Sequence, residues 1–288
     1  MMHTGFPDWL KKRVSSHGST ESTRNLIAGL GLGTVCKSAA CPNQAECFSL
    51  GTATFLILGE TCTRKCSFCA VKKGIPAAPD TEEPCKLARA VAGLGLKHAV
   101  ITSVTRDDMP DGGASHFVKT INTIREISSG VTVEVLTPDF MGLPGAVDMV
   151  ASAYPEVFGH NIETVPRLYR QVRPGAEYKR SLAVLERVKY RQPGAVTKSG
   201  LMVGLGEHFS EISQVMSDLR SAGCDIITIG QYLRPTRGHI EVKDYVRPET
   251  FEEYRQAALE AGFRHALCGP FVRSSYRAGE YVIKMKGQ

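Results

Sequence analysis

The sequence has no apolar stretch that approaches the roughly 18 residues needed for a membrane-spanning helix. Its amino terminus, MMHTGFPDWLKKRV, lacks both a long apolar segment and a small-residue cleavage site, so it does not resemble a secretory signal. This terminus is short and carries Asp8, which argues against an organelle transit peptide. We therefore predict a cytoplasmic protein that is not inserted in a membrane.

Basic runs interleaved with aromatic residues are also missing. The 288-residue chain has a formal net charge of +6, and its positive residues are scattered. Scattered positive charge is typical of a solvated surface or of a surface that meets an acidic partner, and it does not favour nucleic-acid binding. Repeats and low-complexity segments are not visible either. With 42% hydrophobic residues, the chain is expected to form one core with appendages.

Three closely spaced cysteines follow a short apolar run, residues 55–58, which is typical of a buried strand. These are Cys62, Cys66 and Cys69, spaced C-x3-C-x2-C. Because a 4Fe-4S cluster needs four ligands, a loop that supplies three thiolates would leave one iron without a protein ligand. Phe68, beside the last cysteine, completes a C-x3-C-x-aromatic-C pattern.

A second triplet, Cys36, Cys41 and Cys47, lies upstream with the spacing C-x4-C-x5-C. In a cytosolic chain, grouped thiols favour a metal site over disulfides. Zinc held by thiolates is one alternative, but zinc sites favour C-x2-C to C-x4-C pairs. The wider spacing therefore favours a second iron-sulfur cluster, whose fourth ligand has to come from elsewhere in the chain.

Downstream of the first triplet, strand-like apolar runs alternate with longer helical patterns. The runs cover residues 54–58, 99–102, 132–136, 157–161, 198–203 and 226–231. The helical patterns cover residues 84–94, 114–127, 144–153, 166–187 and 210–222. Six strand-like runs that alternate with helical patterns over short connections predict an α/β fold with a parallel sheet, and we expect a partial (β/α)6 TIM-type barrel with N- and C-terminal extensions.

We expect three regions along the chain. Residues 1–51 would form an N-terminal extension with the auxiliary cysteines and a short helix at 8–14. Residues 52–247 would form the barrel, and residues 248–288 a C-terminal helix and tail. In such barrels the reactive groups gather at the carboxyl ends of the strands, which is where the three-cysteine loop falls.

The chain resembles the lipoyl synthase family of the radical S-adenosylmethionine (SAM) superfamily over nearly its whole length. The resemblance rests on the two cysteine triplets together with RSSY at residues 273–276. The segments PDWLK, TSVTRDDMPDGGA, TPDF, HNIETV, VRPGA, KSGLMVGLGE and GQYLRP also follow the order found in the family. Two positions depart from it, since Phe48 stands where tryptophan is usual and Arg234 where glutamine is usual.

The resemblance implies a sulfurtransferase that inserts two sulfur atoms, at C6 and C8, into an octanoyl group carried on a protein lysine. It implies that Cys62, Cys66 and Cys69 hold a 4Fe-4S cluster that binds SAM and yields the carbon radical needed to break an unactivated C–H bond. A second 4Fe-4S cluster would donate sulfur, with Ser275 as its fourth ligand and Ser274 as the alternative. The implied partners are an octanoylated glycine cleavage H protein or 2-oxoacid dehydrogenase lipoyl domain, and a ferredoxin- or flavodoxin-type reductant.

The resemblance also implies SAM contacts at the strand ends. Asp111, Gly112 and Gly113 follow the second predicted strand, where paired glycines are typical of a turn before a helix and their backbone could accept the SAM ammonium group. Asn161 and Glu163 end the fourth predicted strand and are suited to hydroxyl or ammonium recognition. Helix capping or a buried polar network is the alternative for both.

Four further residues complete the predicted SAM site. Gly204 and Glu207 lie in a glycine-rich strand end against which adenine could pack, although such a glycine pattern is a weak signal. Arg173 and Lys198 are candidate partners for the SAM carboxylate. The main alternatives to the whole interpretation are a biotin synthase-type radical SAM enzyme, an iron-sulfur electron carrier and a zinc-structured module.

Overall fold

The computed structural model describes residues 6–11 and 18–280. Its strands are β1 Gly33–Thr34, β2 Thr54–Ile57, β3 Thr61–Cys62, β4 Lys72–Lys73, β5 His98–Ser103, β6 Thr132–Leu136, β7 Val157–Gly159, β8 Val196–Val203, β9 Ile226–Gln231 and β10 His265–Gly269. Its α-helices are α1 Gly18–Gly29, α2 Val35–Ser38, α3 Gln44–Ser49, α4 Glu83–Gly93, α5 Ala114–Ile127, α6 Pro144–Ala151, α7 Tyr169–Val172, α8 Tyr178–Arg191, α9 Phe209–Ser221 and α10 Pro248–Glu260. None of the described helices has the length and apolar character needed to cross a membrane.

The main sheet has eight strands in the order β1-β2-β5-β6-β7-β8-β9-β10. From β2 to β10 the neighbouring strands are parallel, whereas β1 pairs antiparallel with β2. Parallel strands joined by helices are covered on both faces, and β2 and β9 are accordingly buried at every residue. The result is the predicted α/β partial barrel, with β1 and β10 at its two edges.

All six predicted strands form, but two helical regions differ from the prediction. The pattern over 166–187 is broken into a 3-10 turn at Pro166–Leu168, then α7, then α8. Pro174 and Gly175 cause the break, because proline lacks an amide donor and Gly175 has a φ of +88°. The short helix predicted at 8–14 is a 3-10 turn at Asp8–Leu10, and residues 12–14 lie outside the described residues.

A seventh parallel strand, β10, lies in the segment that we expected to be a helix and tail. It pairs with β9 from His265↔Ile226 to Gly269↔Gly230, so the sheet continues past residue 247. The sequence also gave no signal for α1, whose residues are mostly small and polar. That helix is held by tertiary contacts, among them a hydrogen bond of 2.8 Å from the Thr23 hydroxyl to the Phe48 carbonyl.

Lys198 lies near the amino end of β8, away from the strand ends where the SAM site was predicted. Its ammonium group is 2.7 Å from the Glu134 carboxylate, and both side chains are 2% exposed. Burial raises the pKa of Glu134, but Lys198 and His98 outweigh it and hold the pKa at about 2. This pair neutralises the charge of Lys198 inside the barrel, so its contact with the SAM carboxylate stays a prediction that the observed pairing disfavours.

Replacement of Lys198 by methionine should lower the free energy of unfolding by about 3–5 kcal/mol, because it leaves the Glu134 carboxylate buried beside fewer positive charges. Urea unfolding of the metal-free protein measures this change. The double variant Lys198→Met/Glu134→Leu should recover most of the loss. Arg255→Met, which removes an exposed pair with Glu252, should have a much smaller effect. Equal losses in the two single variants would contradict the prediction.

The same pair predicts a dependence of stability on pH. Because the pKa of Glu134 is lower in the folded protein than the ordinary glutamate value, its contribution is complete above about pH 4.5 and is lost as the pH falls toward 2. The difference in unfolding free energy between the wild type and Glu134→Gln should therefore shrink over that range. A difference that stays constant from pH 6 to pH 2.5 would contradict this assignment.

Candidate active site

The first cysteine triplet lies on a loop, residues 62–69, which we call the cysteine loop. Its base is closed by the pairing of β3 with β4, in which Cys62 lies opposite Lys73. The Gly74 amide adds a hydrogen bond of 3.0 Å to the Cys62 carbonyl. Residues 58–61 join the loop to β2, so its position is set by a fully buried strand of the barrel.

Backbone hydrogen bonds hold the middle of the cysteine loop between two other segments. The Ser67 amide donates to the Val172 carbonyl at 3.0 Å, at the end of α7. The Ile240 amide donates to the Ser67 carbonyl at 3.1 Å, and His239 Nε2 lies 3.1 Å from the Cys69 carbonyl. The loop is therefore ordered by the surrounding protein.

Arg64, inside the cysteine loop, forms the strongest of these attachments. Its guanidinium donates to both oxygens of Asp107 at 2.8 and 2.9 Å and to Asp139 at 2.5 Å. Asp107 follows β5 and Asp139 follows β6, so Arg64 fastens the loop to two strand ends. Burial raises the pKa of Asp139, but Arg64 outweighs it and keeps the carboxyl ionised. These three residues were not predicted from the sequence, although an arginine between two cysteines of the triplet was an available signal.

The thiols of the cysteine loop face one region at the mouth of the barrel. Burial raises the pKa of Cys69 to about 11, and the charges of Cys66 and Cys62 add to this effect. Burial also raises the pKa of Cys66. The charge of Arg173 opposes this increase, and the charge of Glu163 adds to it. The loop therefore brings three soft sulfur donors together beside Arg173 and Glu163, two residues of the predicted SAM site.

Two buried nitrogen atoms beside this region have no hydrogen-bond partner among the described residues, namely Arg173 Nε and His160 Nε2. Arg173 Nη1 donates to the Asn161 carbonyl at 2.9 Å, which leaves Nε as a donor. Burial and then Arg173 lower the pKa of His160 to about 4, so its ring is neutral. His160 Nδ1 donates to the Thr137 carbonyl at 2.9 Å, which leaves Nε2 as an acceptor. A buried donor and a buried acceptor fit a polar ligand such as the amino-acid part of SAM.

Asn161 and Glu163 meet each other and the C-terminal tail. Asn161 Nδ2 donates to Glu163 Oε1 at 3.0 Å, and Asn161 Oδ1 accepts from the Ser274 hydroxyl at 2.8 Å. Burial raises the pKa of Glu163, although Arg173 opposes this. These contacts form a buried polar network at the end of the fourth predicted strand, and SAM recognition by either residue stays a prediction.

The paired glycines Gly112 and Gly113 form the turn that precedes α5. The Asp111 carboxylate accepts the amides of Gly113 and Ser115, each at 2.9 Å. Gly113 has a φ of +90°, and a Cβ there would lie 2.3 Å from Leu58 Cδ1. The turn therefore packs against the residue that follows β2, next to the cysteine loop. Its contact with the SAM ammonium group stays a prediction.

Glu207 and Gly204 close the loop after β8. The Glu207 carboxylate accepts the amides of Gly204 and Leu205, the latter at 2.9 Å. The Gly204 carbonyl in turn accepts the Lys243 amide at 2.8 Å. Phe68 packs against the apolar cluster formed by this half of the barrel. The loop after β8 is the segment in which adenine binding was predicted. Its observed hydrogen bonds hold the loop itself together, and adenine binding stays a prediction.

Two cysteines of the second triplet border a cavity of about 320 Å³ between the N-terminal extension and the tail. Cys36, Cys47 and Ser275 all line this space, which we call the auxiliary cavity. Burial raises the pKa of Cys36, and the nearby Cys41 adds to the effect. Two thiols and one hydroxyl, more than 220 residues apart in sequence, therefore meet at one space, and the third thiol, Cys41, lies near Cys36.

The two serines of RSSY face different sites. Ser275 lines the auxiliary cavity, whereas the Ser274 hydroxyl donates to Asn161 Oδ1 at 2.8 Å. Ser274 also lies against the backbone of β8, where a Cβ on Gly200 would be 2.5 Å from its Oγ. The arrangement favours Ser275 over Ser274 as the ligand predicted for a second cluster.

Two hydrogen bonds hold the tail against the N-terminal extension. Asn43 Nδ2 donates to the Phe271 carbonyl at 2.6 Å, and the Tyr276 hydroxyl donates to Glu46 Oε1 at 2.8 Å. The tail therefore folds back onto the segment that carries the auxiliary cysteines, which brings Ser275 to them as the predicted ligation requires.

Within residues 6–11 and 18–280, no three Cys, His, Asp or Glu side chains form a group that could hold a single metal ion. A 4Fe-4S cluster differs from such a site, because each thiolate binds a separate iron of the cube. The donor sets at both triplets are thiolates of the kind that iron-sulfur clusters use.

Known proteins match this chain closely. The sequence profile of the Radical SAM superfamily matches residues 56–219. A lipoyl synthase from Chlorobaculum tepidum is 58% identical over 273 residues, which cover 94% of each chain. A lipoyl synthase from Caldanaerobacter subterraneus is 55% identical over 272 residues, which cover 94% of this chain and 95% of the relative.

Solved structures resemble this one at low sequence identity. Methylornithine synthase aligns with a TM-score of 0.54 and 14% identity, covering 86% of this chain and 81% of that one. The FeFe-hydrogenase maturase from Carboxydothermus hydrogenoformans aligns with a TM-score of 0.56 and 14% identity, covering 92% and 78%. These likenesses support the partial-barrel fold and do not bear on the substrate.

Arg64→Lys should reduce the iron bound by the cysteine loop, because an ammonium group cannot bind Asp107 through two bonds and reach Asp139 as well. Iron and sulfide analysis after anaerobic reconstitution measures this loss. The free energy of unfolding should fall by up to about 3 kcal/mol, with some compensation from Arg180, which lies 3.5 Å from Asp139. Arg167→Lys, at an exposed pair with Glu211, is the matched control and should retain its iron. Full iron content in Arg64→Lys would show that the loop does not need this anchor.

Proposed function

Because the chain belongs to the lipoyl synthase family of radical SAM enzymes, we propose that it inserts two sulfur atoms, at C6 and C8, into a protein-bound octanoyl group to form the lipoyl cofactor. The observation that carries this proposal is the meeting of Cys36, Cys47 and Ser275 at one cavity, in a barrel whose mouth carries a separate loop of three cysteines. A radical SAM enzyme needs the loop for hydrogen abstraction, whereas sulfur insertion needs the second site as well.

In this proposal the cysteine loop holds a 4Fe-4S cluster, and the cluster with bound SAM supplies a primary carbon radical that can remove hydrogen from an unactivated carbon. The protein residues orient the ligand. Arg64 fixes the loop on the strand ends, and the free Nε of Arg173 donates to the SAM carboxylate. The neutral His160 offers Nε2 as an acceptor to the ammonium or ribose hydroxyl.

The auxiliary 4Fe-4S cluster is the sulfur substrate in this reaction, and Cys36, Cys41, Cys47 and Ser275 are its ligands. A serine oxygen is a harder and more basic ligand than a thiolate, whereas the iron of such clusters prefers sulfur. We infer that the bond to Ser275 is protonated and released more easily than a cysteine bond. One iron can then leave once sulfide has bonded to the substrate carbon.

The tail and the N-terminal extension together close the barrel. Their hydrogen bonds, Asn43 to Phe271 and Tyr276 to Glu46, hold Ser275 at the auxiliary cavity and would shield the sulfur substrate from water. The substrate would be an octanoylated glycine cleavage H protein or a 2-oxoacid dehydrogenase lipoyl domain. A ferredoxin- or flavodoxin-type protein would supply electrons, and the cytoplasm, where thiols stay reduced, would be the location.

Anaerobic incubation with SAM, dithionite and an octanoyl-lysine peptide tests the proposed function. Reconstituted protein should contain about eight iron and eight sulfide per chain, as two 4Fe-4S clusters require. Mass spectrometry should detect a peptide with two added sulfur atoms, together with two molecules of 5′-deoxyadenosine for each product. Zinc in place of iron, or 5′-deoxyadenosine without sulfur-containing peptide, would contradict the proposal.

Substitution of the two adjacent serines separates their roles. Ser275→Ala should lose the auxiliary cluster and sulfur insertion, yet it should keep about four iron and still form 5′-deoxyadenosine. Ser274→Ala is the matched control and should keep about eight iron, because its hydroxyl bonds Asn161 and does not line the cavity. The reverse pattern of iron loss would assign the ligand to Ser274.

Ser275→Cys tests whether the weak fourth bond matters for turnover. A thiolate should hold the departing iron more tightly, so the variant should keep its auxiliary cluster but form the sulfur-containing product more slowly. Single-turnover mass spectrometry at fixed times measures the rate. A variant that retains the cluster and reacts at the wild-type rate would remove ligand lability from the mechanism.

A further inference from the structure

Exposed positive side chains surround the cysteine loop, and the proposed mechanism does not use them. We call this group the basic rim, and its members are Lys65, Lys72, Lys73, Arg170 and Arg237. Within the part of the chain that the structure describes, none of the five forms a salt bridge, whereas the neighbouring Glu241 is already paired with Arg234 and Lys243. The rim therefore presents uncompensated positive charge to solvent.

Backbone contacts place the members of the basic rim around the loop. Lys73 lies opposite Cys62 in the pairing of β4 with β3. Arg170 precedes Gln171, whose carbonyl accepts the Ser67 hydroxyl at 2.8 Å. Arg237 lies two residues before His239, which contacts the Cys69 carbonyl at 3.1 Å. Each segment of the rim therefore borders the loop that carries the three thiols.

An apolar side chain stands among these charges. Ile75 is 97% exposed and lies two residues after β4, between Gly74 and Pro76. The amide of Gly74, the residue before Ile75, donates to the Cys62 carbonyl at 3.0 Å. One hydrogen bond therefore joins the segment that carries Ile75 to a cysteine of the loop. Electron transfer slows steeply with distance, and a donor that contacts Ile75 would gain a short path to any cluster held by Cys62.

We propose that the basic rim and Ile75 form the docking surface for an acidic protein that donates single electrons to the cluster of the cysteine loop. This inference rests on the proposed function, which consumes one electron for each SAM cleaved. The donor protein loses one electron, which passes through the cluster into the C–S bond of SAM. That bond then breaks to give methionine and the 5′-deoxyadenosyl radical, so two docking events serve each pair of sulfur insertions.

Charge complementarity and position favour an electron donor over the acyl carrier as the partner. Electron-transfer complexes are small and short-lived, and opposite charges speed their formation more than they raise affinity. The acyl carrier has to reach the auxiliary cavity, whose lining includes Lys97, His98 and Thr132 at the amino ends of β5 and β6. The basic rim lies at the carboxyl ends of the strands, on the opposite side of the barrel.

Charge reversal of the rim, measured with a defined donor, tests the proposal. The variant Lys72→Glu/Lys73→Glu/Arg237→Glu changes three rim residues that are not in the SAM or auxiliary site. With reduced flavodoxin at low salt, it should form 5′-deoxyadenosine at least about tenfold more slowly than the wild type. The matched control Arg89→Glu/Lys119→Glu/Lys179→Glu reverses three exposed charges on the outer helices α4, α5 and α8, and should slow the reaction less than about twofold. Reduced methyl viologen, a small cationic donor, should support the wild-type rate in both variants.

Four other outcomes would overturn the proposed docking surface. If the rim variant and the control variant were slowed equally with flavodoxin, net charge alone would matter. If the rim variant were slowed as much with methyl viologen as with flavodoxin, the substitutions would act on the cluster. A wild-type rate with flavodoxin that does not change with salt would also overturn the proposal. So would a rim variant that is reduced normally by flavodoxin but no longer binds an octanoylated lipoyl domain. Absence of 5′-deoxyadenosine with every reductant, in the wild type too, would instead overturn the proposed function itself.

Discussion

The attachment of the cysteine loop to the ends of the parallel strands is the constraint on which the rest of this structure depends. Arg64 carries one charge from inside the loop to Asp107 and Asp139, which follow two neighbouring strands. A buried guanidinium with two carboxylates holds its geometry because each charge would be costly to leave unpaired. The thiols are thereby fixed beside Arg173 and Glu163, where a ligand can meet both the loop and the barrel wall.

The tail joins this mouth to the second cysteine triplet. Ser274 bonds Asn161 inside the barrel, and the next residue, Ser275, lines the auxiliary cavity. One short segment of chain therefore contacts both sites through adjacent side chains. Since the tail is also tied to the N-terminal extension, a displacement of either extension would disturb both sites together, which suits a reaction that needs a radical and a sulfur source at the same substrate.

Periodicity predicted the barrel well, because buried parallel strands and amphipathic helices have strong local patterns. Strands β6 and β9 have the predicted bounds. The failures have physical causes. Helix α1 and strand β10 have weak local signals and are stabilised by neighbours distant in sequence. Lys198 was predicted to bind an anion, but only the fold could show that its ammonium group pairs with the Glu134 carboxylate. The partners of Arg64 were equally unpredictable from the sequence, since Asp107 and Asp139 lie in loops that follow two other strands.

By itself the sequence indicated the family, because the number and spacing of cysteines limit which metal centres a loop can hold, and two cysteine triplets with RSSY resemble the lipoyl synthase family. Tertiary structure alone decided which of two adjacent serines faces the auxiliary cavity, which lysine is neutralised, and which buried nitrogens are left for a ligand. The physical reason is that spacing is a property of the chain, whereas burial, pairing and orientation arise only when distant segments pack together.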